Sequence, residues 1–279
     1  MFIFHIFMKN KIKSIEFQKS IIKKIVSEIM IQKEILIKST IDGTLQPSLF
    51  YQAKGDNRPL LVGLHTWSFN RFNQIDNLLP YAEKYDFNLL LPEFRGPNLT
   101  TNPNCALACG SIYAKQDIKD AIDYVINTTN VDSNNIFLIG LSGGGHMGLL
   151  MAGYCPEVFK AIASFVPITN LEKWVKQNED YKEHILACCS NSTKEMALRS
   201  PINYIDTISK SNLKIFHGKY DPVVPVTQSL EFYQEIYERY PKSKVFLDIF
   251  DGGHEIDMEA AMYWLLSNYK NNNKTDITD

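Results

Sequence analysis

Ser142 stands in the run Gly140-Leu141-Ser142-Gly143-Gly144. A serine in that setting can act as a nucleophile. The pattern G-x-S-x-G builds a strand-to-helix turn so tight that its flanking positions hold little more than backbone. Glycine fits there because it lacks Cβ and tolerates positive φ. A hydroxyl is a weak nucleophile at neutral pH. It needs a base within hydrogen-bond reach, and the base needs an orienting carboxylate. Two later segments supply them. The segment from His217 to Pro225 offers Asp221, and the segment from Phe250 to Glu255 offers His254. Asp251 shares the loop of His254 and competes for the orienting role. His146 lies four residues after Ser142 and is expected to pack locally, while His217 at the end of a strand is expected to be structural. Glu255 and Asp257 are expected to face solvent or to open the last helix.

Acyl transfer also needs two donors aimed at the oxygen on which negative charge develops. The backbone N–H of Gly143, next to the nucleophile, is one candidate. The N–H of Thr66 or Trp67, in the loop after an early strand, is the other. Trp67 and His65 are expected to line the substrate pocket. No Gly-Lys-Ser/Thr or G-x-G-x-x-G follows the strand before Ser142, which argues against a phosphate-cradling loop.

These residues need strands to end beneath them and helices to back the strands. The apolar run Ile136 to Gly140 predicts a buried strand, and His146 to Tyr154 predicts the helix after the turn. Leu60–Leu64, Phe87–Leu91, Phe159–Val166, Leu213–Phe216 and Val245–Ile249 read as further strands. Helical spacing marks 73–85, Ser111–Thr128, Thr227–Tyr240 and Met258–Tyr269. Strands alternating with helices predict a mostly parallel sheet covered on both faces. Residues 58–269 form the expected catalytic domain. Within it, 170–211 is a less regular, lid-like insertion after the sixth strand, with helical patches at Leu171–Val175 and Tyr181–Cys188. Ahead of the domain, 1–57 are expected to hold a helix over 10–37 and an edge hairpin broken at Asp42-Gly43 and Pro47. The Asn-rich tail 270–279 is expected to be disordered.

Composition narrows the function classes. The 279 residues include 45% hydrophobic and 22% charged side chains, ordinary values for a globular protein. The net charge of −2 gives no bulk attraction to nucleic acid. The five cysteines show neither disulfide-framework nor zinc-ligand spacing, which points to reduced thiols, a cytoplasmic setting and no metal or other cofactor. No run reaches the roughly 18 apolar residues that a membrane span requires. The apolar start, Met1 to Met8, lacks the basic flank and cleavage site of a signal peptide, and Met8 is an alternative first residue.

The motifs together resemble the catalytic domain of the prolyl oligopeptidase family of α/β hydrolases. G-x-S-x-G-G stands at Gly140 to Gly145, H-G-x-x-D-x-x-V-P at His217 to Pro225, and G-H at Gly253-His254. Arg95-Gly96, Ala114 to Ile118 and Ser200-Pro201 match further positions of the pattern. The resemblance spans about residues 58–268. It implies the α/β-hydrolase fold, with Ser142 as nucleophile, His254 as general base and Asp221 as its orienter. It departs at His65-Thr66-Trp67, where the family carries glycines, and no β-propeller fits ahead of the domain. Substrate choice then falls to the insertion and to the loop Asn98–Gly110.

The expected activity is a serine hydrolase working through an acyl-enzyme, acting as a peptidase or aminoacyl hydrolase on small or short-peptide substrates. A carboxylesterase for small acyl, acetylated or feruloylated sugar esters is the alternative. Glu172, Glu179, Asp180 and Glu183 are candidate anchors for a substrate amino terminus. The reading from another class is a non-catalytic scaffold that binds a partner.

Overall fold

The computed structural model describes residues 33–269. One eight-stranded sheet runs through them in the order β1-β2-β4-β3-β5-β6-β7-β8. The strands are β1 (Lys33–Lys38), β2 (Leu45–Tyr51), β3 (Arg58–Leu64), β4 (Asn88–Pro92), β5 (Val131–Leu141), β6 (Ala161–Phe165), β7 (Leu213–Gly218) and β8 (Val245–Phe250). The hairpin β1–β2 is antiparallel and joins β4 antiparallel, while the pairings from β4 through β8 are parallel. This is the α/β-hydrolase fold.

The alternation of side chains along each strand divides the core in two. On one face Leu60, Val62 and Leu64 of β3 join Ile136 and Leu138 of β5. They pack under α2 (Ile112–Thr128), α3 (Gly143–Tyr154) and α8 (Thr227–Arg239). On the other face Leu61, Phe137 and Ile139 pack under α1 (Ile75–Tyr85) and α9 (Met258–Ser267). Each fully buried Leu or Ile contributes about 2 kcal/mol, so a register slip that turned either set outward is strongly disfavoured.

The hairpin lies at one edge of the sheet, where the sequence places it. The expected helix over 10–37 needs correction at its end, because Lys33–Lys38 form β1. Ile35 and Ile37 are buried while Leu36 is exposed, which is strand alternation. The rest of that helix, and the tail 270–279, fall outside the described residues. The predicted helix from His146 starts earlier, at Gly143.

After β6 the insertion folds as α4 (Leu171–Gln177), α5 (Glu179–Cys188), α6 (Thr193–Leu198), a 3₁₀ turn over Pro201–Tyr204 and α7 (Ile205–Ile208). Asn170, Asn178 and Ser192 cap the first three of these helices. A third apolar cluster joins Trp174, Ile185, Cys188 and Cys189 of the insertion to Trp67 and Val224. The insertion thus rests on two loops at the carboxyl ends of strands.

Candidate active site

β4 lies on one side of β3 and β5 on the other. Connections from neighbouring strands therefore diverge between β3 and β5. In open α/β sheets ligands bind in the crevice at that switch point, beyond the carboxyl ends of the strands. β3 ends in the His65-Thr66-Trp67 loop and β5 ends in Ser142, so both halves of the candidate site rise from this crevice.

Ser142 has φ 56° and ψ −115°. A non-glycine residue there carries strain of order 1–3 kcal/mol, held in place by its surroundings. Its N–H donates to the Phe165 carbonyl of β6 at 2.9 Å, and its carbonyl accepts from His146 N–H at 2.8 Å. The turn also requires bare backbone. A Cβ on Gly140 would stand 2.2 Å from the Gly144 oxygen, and one on Gly143 would stand 2.5 Å from the Trp67 nitrogen. The second distance shows that the backbone of Gly143 lies directly against that of Trp67. Gly143 opens α3, where backbone N–H groups have no intrahelical acceptor.

Asp221 and His254 come together across the ends of β7 and β8. His254 Nδ1 donates to Asp221 Oδ2 at 2.8 Å. The other carboxylate oxygen accepts from Val223 N–H at 2.8 Å and Val224 N–H at 2.9 Å. The Asp221 carboxylate is shut off from solvent, while the imidazole is 21% exposed. This geometry suits a charged acceptor that holds the ring by Nδ1 and leaves Nε2 free for proton transfer. Ser142 Oγ has no hydrogen-bond partner among the described residues, and Ser142 is 7% exposed. Asp251 is exposed, and the carboxylate that reaches His254 is that of Asp221.

The other histidines are occupied elsewhere. His146 Nδ1 donates to the Ile168 carbonyl at 2.9 Å, and complete burial pushes its pKa down to about 4. His217 contacts Ser229 Oγ at 2.7 Å and the Val224 carbonyl at 2.8 Å, and burial lowers its pKa too. It braces the loop that carries Asp221. Asp257 caps α9 by accepting from Ala260 N–H.

Thr66 and Trp67 differ as oxyanion candidates. Thr66 N–H donates to Asn73 Oδ1 at 3.0 Å. Trp67 N–H has no acceptor among the described residues and lies beside Gly143, which favours it as the second donor.

The side chains of Trp67 and His65 do not fit the expected pocket-lining role. Each residue is 2% exposed. The indole of Trp67 is covered by Trp174 at 5.1 Å and Tyr181 at 6.3 Å, edge to face. The imidazole of His65 lies on the Phe94 ring, with both nitrogens against backbone carbonyls. Glu172 and Glu179 pair with Lys176 and Lys182 on the insertion surface, and Asp180 and Glu183 are exposed. The sequence reading missed Asn73, Asn98 and the Val223 and Val224 amides. Only the recurrence of Asn in turn segments could have signalled the first two.

The insertion is tied to the loops that carry this assembly. Trp174 Nε1 and Asn178 Nδ2 both donate to the Val223 carbonyl, at 3.1 and 2.9 Å. Arg199 donates to the Ala106, Ala108 and Cys188 carbonyls. One guanidinium thereby ties the loop Asn98–Gly110 to α5.

Comparison with known proteins agrees with this architecture. The acylamino-acid-releasing enzyme of Rattus norvegicus is 28% identical over 204 residues, covering 65% of this chain and 27% of that protein. The chain thus spans about a quarter of that relative's length. A feruloyl esterase B of Neurospora crassa is 33% identical over 89 residues, 30% of each chain. Among solved structures, the acylaminoacyl peptidase of Pyrococcus horikoshii superposes with a TM-score of 0.69 at 18% identity, covering 88% of this chain and 42% of that one. Residues 113–270, more than half of the chain, match the model of one family. That stretch holds Ser142, Asp221 and His254, and by it the chain belongs to the prolyl oligopeptidase family.

Proposed function

We propose that this chain is a serine peptidase of the prolyl oligopeptidase type, acting on short peptidyl or aminoacyl amides. Ser142 attacks the carbonyl, and His254 Nε2 takes the hydroxyl proton and later gives it to the leaving amine. Asp221 holds the imidazole and stabilises its charged form. The N–H groups of Gly143 and Trp67 stabilise the oxyanion, and water then releases the acyl group. The observation that carries the reading is the 2.8 Å bond between His254 and a buried Asp221, reached from successive strand ends of the sheet whose β5 ends in the strained Ser142. Family membership and the acylamino-acid-releasing relatives support the amide specificity.

A second reading, carboxylesterase, is favoured by the stretch shared with a feruloyl esterase. The test has two arms. Fluorophosphonate probe should label the wild type and fail to label Ser142→Ala; persistent labelling of that variant refutes the nucleophile. A panel of acylaminoacyl amides and short acyl esters should show amide turnover. Fast ester hydrolysis with no amide turnover rejects the peptidase in favour of the esterase, and absence of labelling in folded wild-type protein favours a non-catalytic scaffold.

A further inference from the structure

Cys105 and Cys109 stand in the loop Asn98–Gly110, while Cys188 ends α5 and Cys189 follows it. Cys109, Cys188 and Cys189 are buried in the apolar cluster that joins the insertion to Trp67. Cys105 packs against the edge of that cluster and is partly exposed. One guanidinium fixes the two segments against each other. Arg199 Nη1 donates to the Ala108 carbonyl at 3.1 Å and to the Cys188 carbonyl at 3.0 Å, and Nη2 donates to the Ala106 carbonyl at 3.1 Å. The acyl-transfer reaction uses none of these thiols.

Cys188 is the centre of the group. Hydrogen bonds from the Cys109 and Cys105 thiols, with the nearby charge of Arg199, hold the Cys188 thiol below the usual thiol range against the effect of its burial. Burial, with the contact to Cys188, pushes Cys105 and Cys109 the other way. The thiolate is the nucleophile in sulfur chemistry, so Cys188 is the reactive member. Freedom to move selects its partner. Cys109 is pinned: its φ is 45°, a strained value that its surroundings must hold, and its N–H donates to Asn98 Oδ1 at 2.8 Å. Cys189 is next to Cys188 in the chain, and adjacent side chains at a helix end do not face each other. Cys105 opens a short 3₁₀ turn over Cys105–Leu107 and is the one of the four that solvent reaches.

We propose that Cys188 and Cys105 form a reversible redox site, in which a hydroperoxide joins them as a disulfide that clasps the loop Asn98–Gly110 to α5 and slows acylation of Ser142. The Cys188 thiolate attacks the outer peroxide oxygen and becomes a sulfenic acid as the alcohol (water, from hydrogen peroxide) departs. The Cys105 thiol then attacks that sulfur and displaces water. Two thiols lose two electrons and two protons, and one hydroperoxide is reduced to an alcohol and water.

One asparagine connects the clasp to the site. Asn98 Oδ1 accepts from Cys109 N–H at 2.8 Å, and Asn98 N–H donates to the Trp67 carbonyl at 2.8 Å. Drawing Cys105 from thiol contact to a bond of about 2 Å shifts the loop that carries Asn98, and Asn98 passes the shift to Trp67. The effect on rate rests on the reading of Ser142 as nucleophile and Trp67 N–H as an oxyanion donor. The disulfide itself does not depend on that reading.

The test treats the reduced protein with hydrogen peroxide and maps its peptides without reduction. Wild type should show a Cys105–Cys188 link, which Cys109→Ser retains and Cys105→Ser loses. Fluorophosphonate labelling of the oxidised wild type should slow by about tenfold or more, the scale of a small misplacement of reacting groups, and dithiothreitol should restore it. Peroxide-treated Cys105→Ser should keep the labelling rate it shows when reduced. The wild-type arm stands whether or not either variant folds. Absence of the link in folded wild type, or a link from Cys188 to Cys109 or Cys189 in its place, overturns the proposal. So does a Cys105–Cys188 link that leaves the labelling rate unchanged. Failure of the underlying reading looks different, because Ser142→Ala would then retain probe labelling whatever the mapped disulfide does.

Discussion

Asp221 divides its carboxylate between two tasks. One oxygen gathers the Val223 and Val224 amides and shapes the loop, and the other holds His254. Asp221→Asn separates them. An asparagine can still accept both amides, but its NH₂ then faces His254 Nδ1, which accommodates a second donor only in the tautomer that leaves Nε2 protonated and useless as a base. The expected outcome is a fall in kcat of about 10⁴-fold with an unchanged circular-dichroism spectrum. Steady-state kinetics check it, and a loss below about tenfold would refute the assignment. Ser142, Asp221 and His254 were legible in the sequence as candidates because each follows an apolar run and sits in a short, distinctive segment. The settings of His65 and Trp67 were not. Whether a loop side chain faces substrate or core depends here on Phe94, Gly96 and Trp174, residues remote in sequence that no local pattern couples to the loop.

Among the elements, the sheet strands and the large helices were readable from periodicity, and two features were not. α3 begins with three glycines, poor helix formers that local preference places in the turn instead. Tight contact with the backbones of β3, β6 and the Trp67 loop overrides that preference. The short helices α6 and α7, of six and four residues, are shorter than any window in which a helical period can be counted. The insertion is held chiefly by Trp174, which is fully buried, donates to Val223 and packs against both Trp67 and Tyr181. Trp174→Ala removes that contact, with an expected cost of about 3–5 kcal/mol. Much of the loss should appear as local opening. Limited proteolysis checks this: new cleavage should concentrate within 170–211 while the sheet stays resistant, and an unchanged pattern would show that other contacts suffice.

Across the fold, three histidines among the described residues are buried with lowered pKa values: His65, His146 and His217. Burial is the leading cause in each. The folded state resists their protonation while the unfolded chain accepts it near the ordinary pKa of 6.5. Their contribution to stability is therefore complete above about pH 6.5 and is lost as the pH falls toward the folded values. For His146, with a folded value of about 4, the loss between pH 7 and 5 is about 2 kcal/mol. Urea midpoints at the two pH values measure it, and His146→Met should flatten the dependence; an equal slope in that variant would contradict it. The topology carries a further consequence, one of timing. β5 delivers Ser142 well before β7 and β8 deliver Asp221 and His254, and the last two strands add in turn to one side of the sheet. On a ribosome that order keeps the nucleophile without its base until nearly the whole domain has emerged. On the proposed reading, a half-made chain holds the serine without the base that would let it cut a peptide.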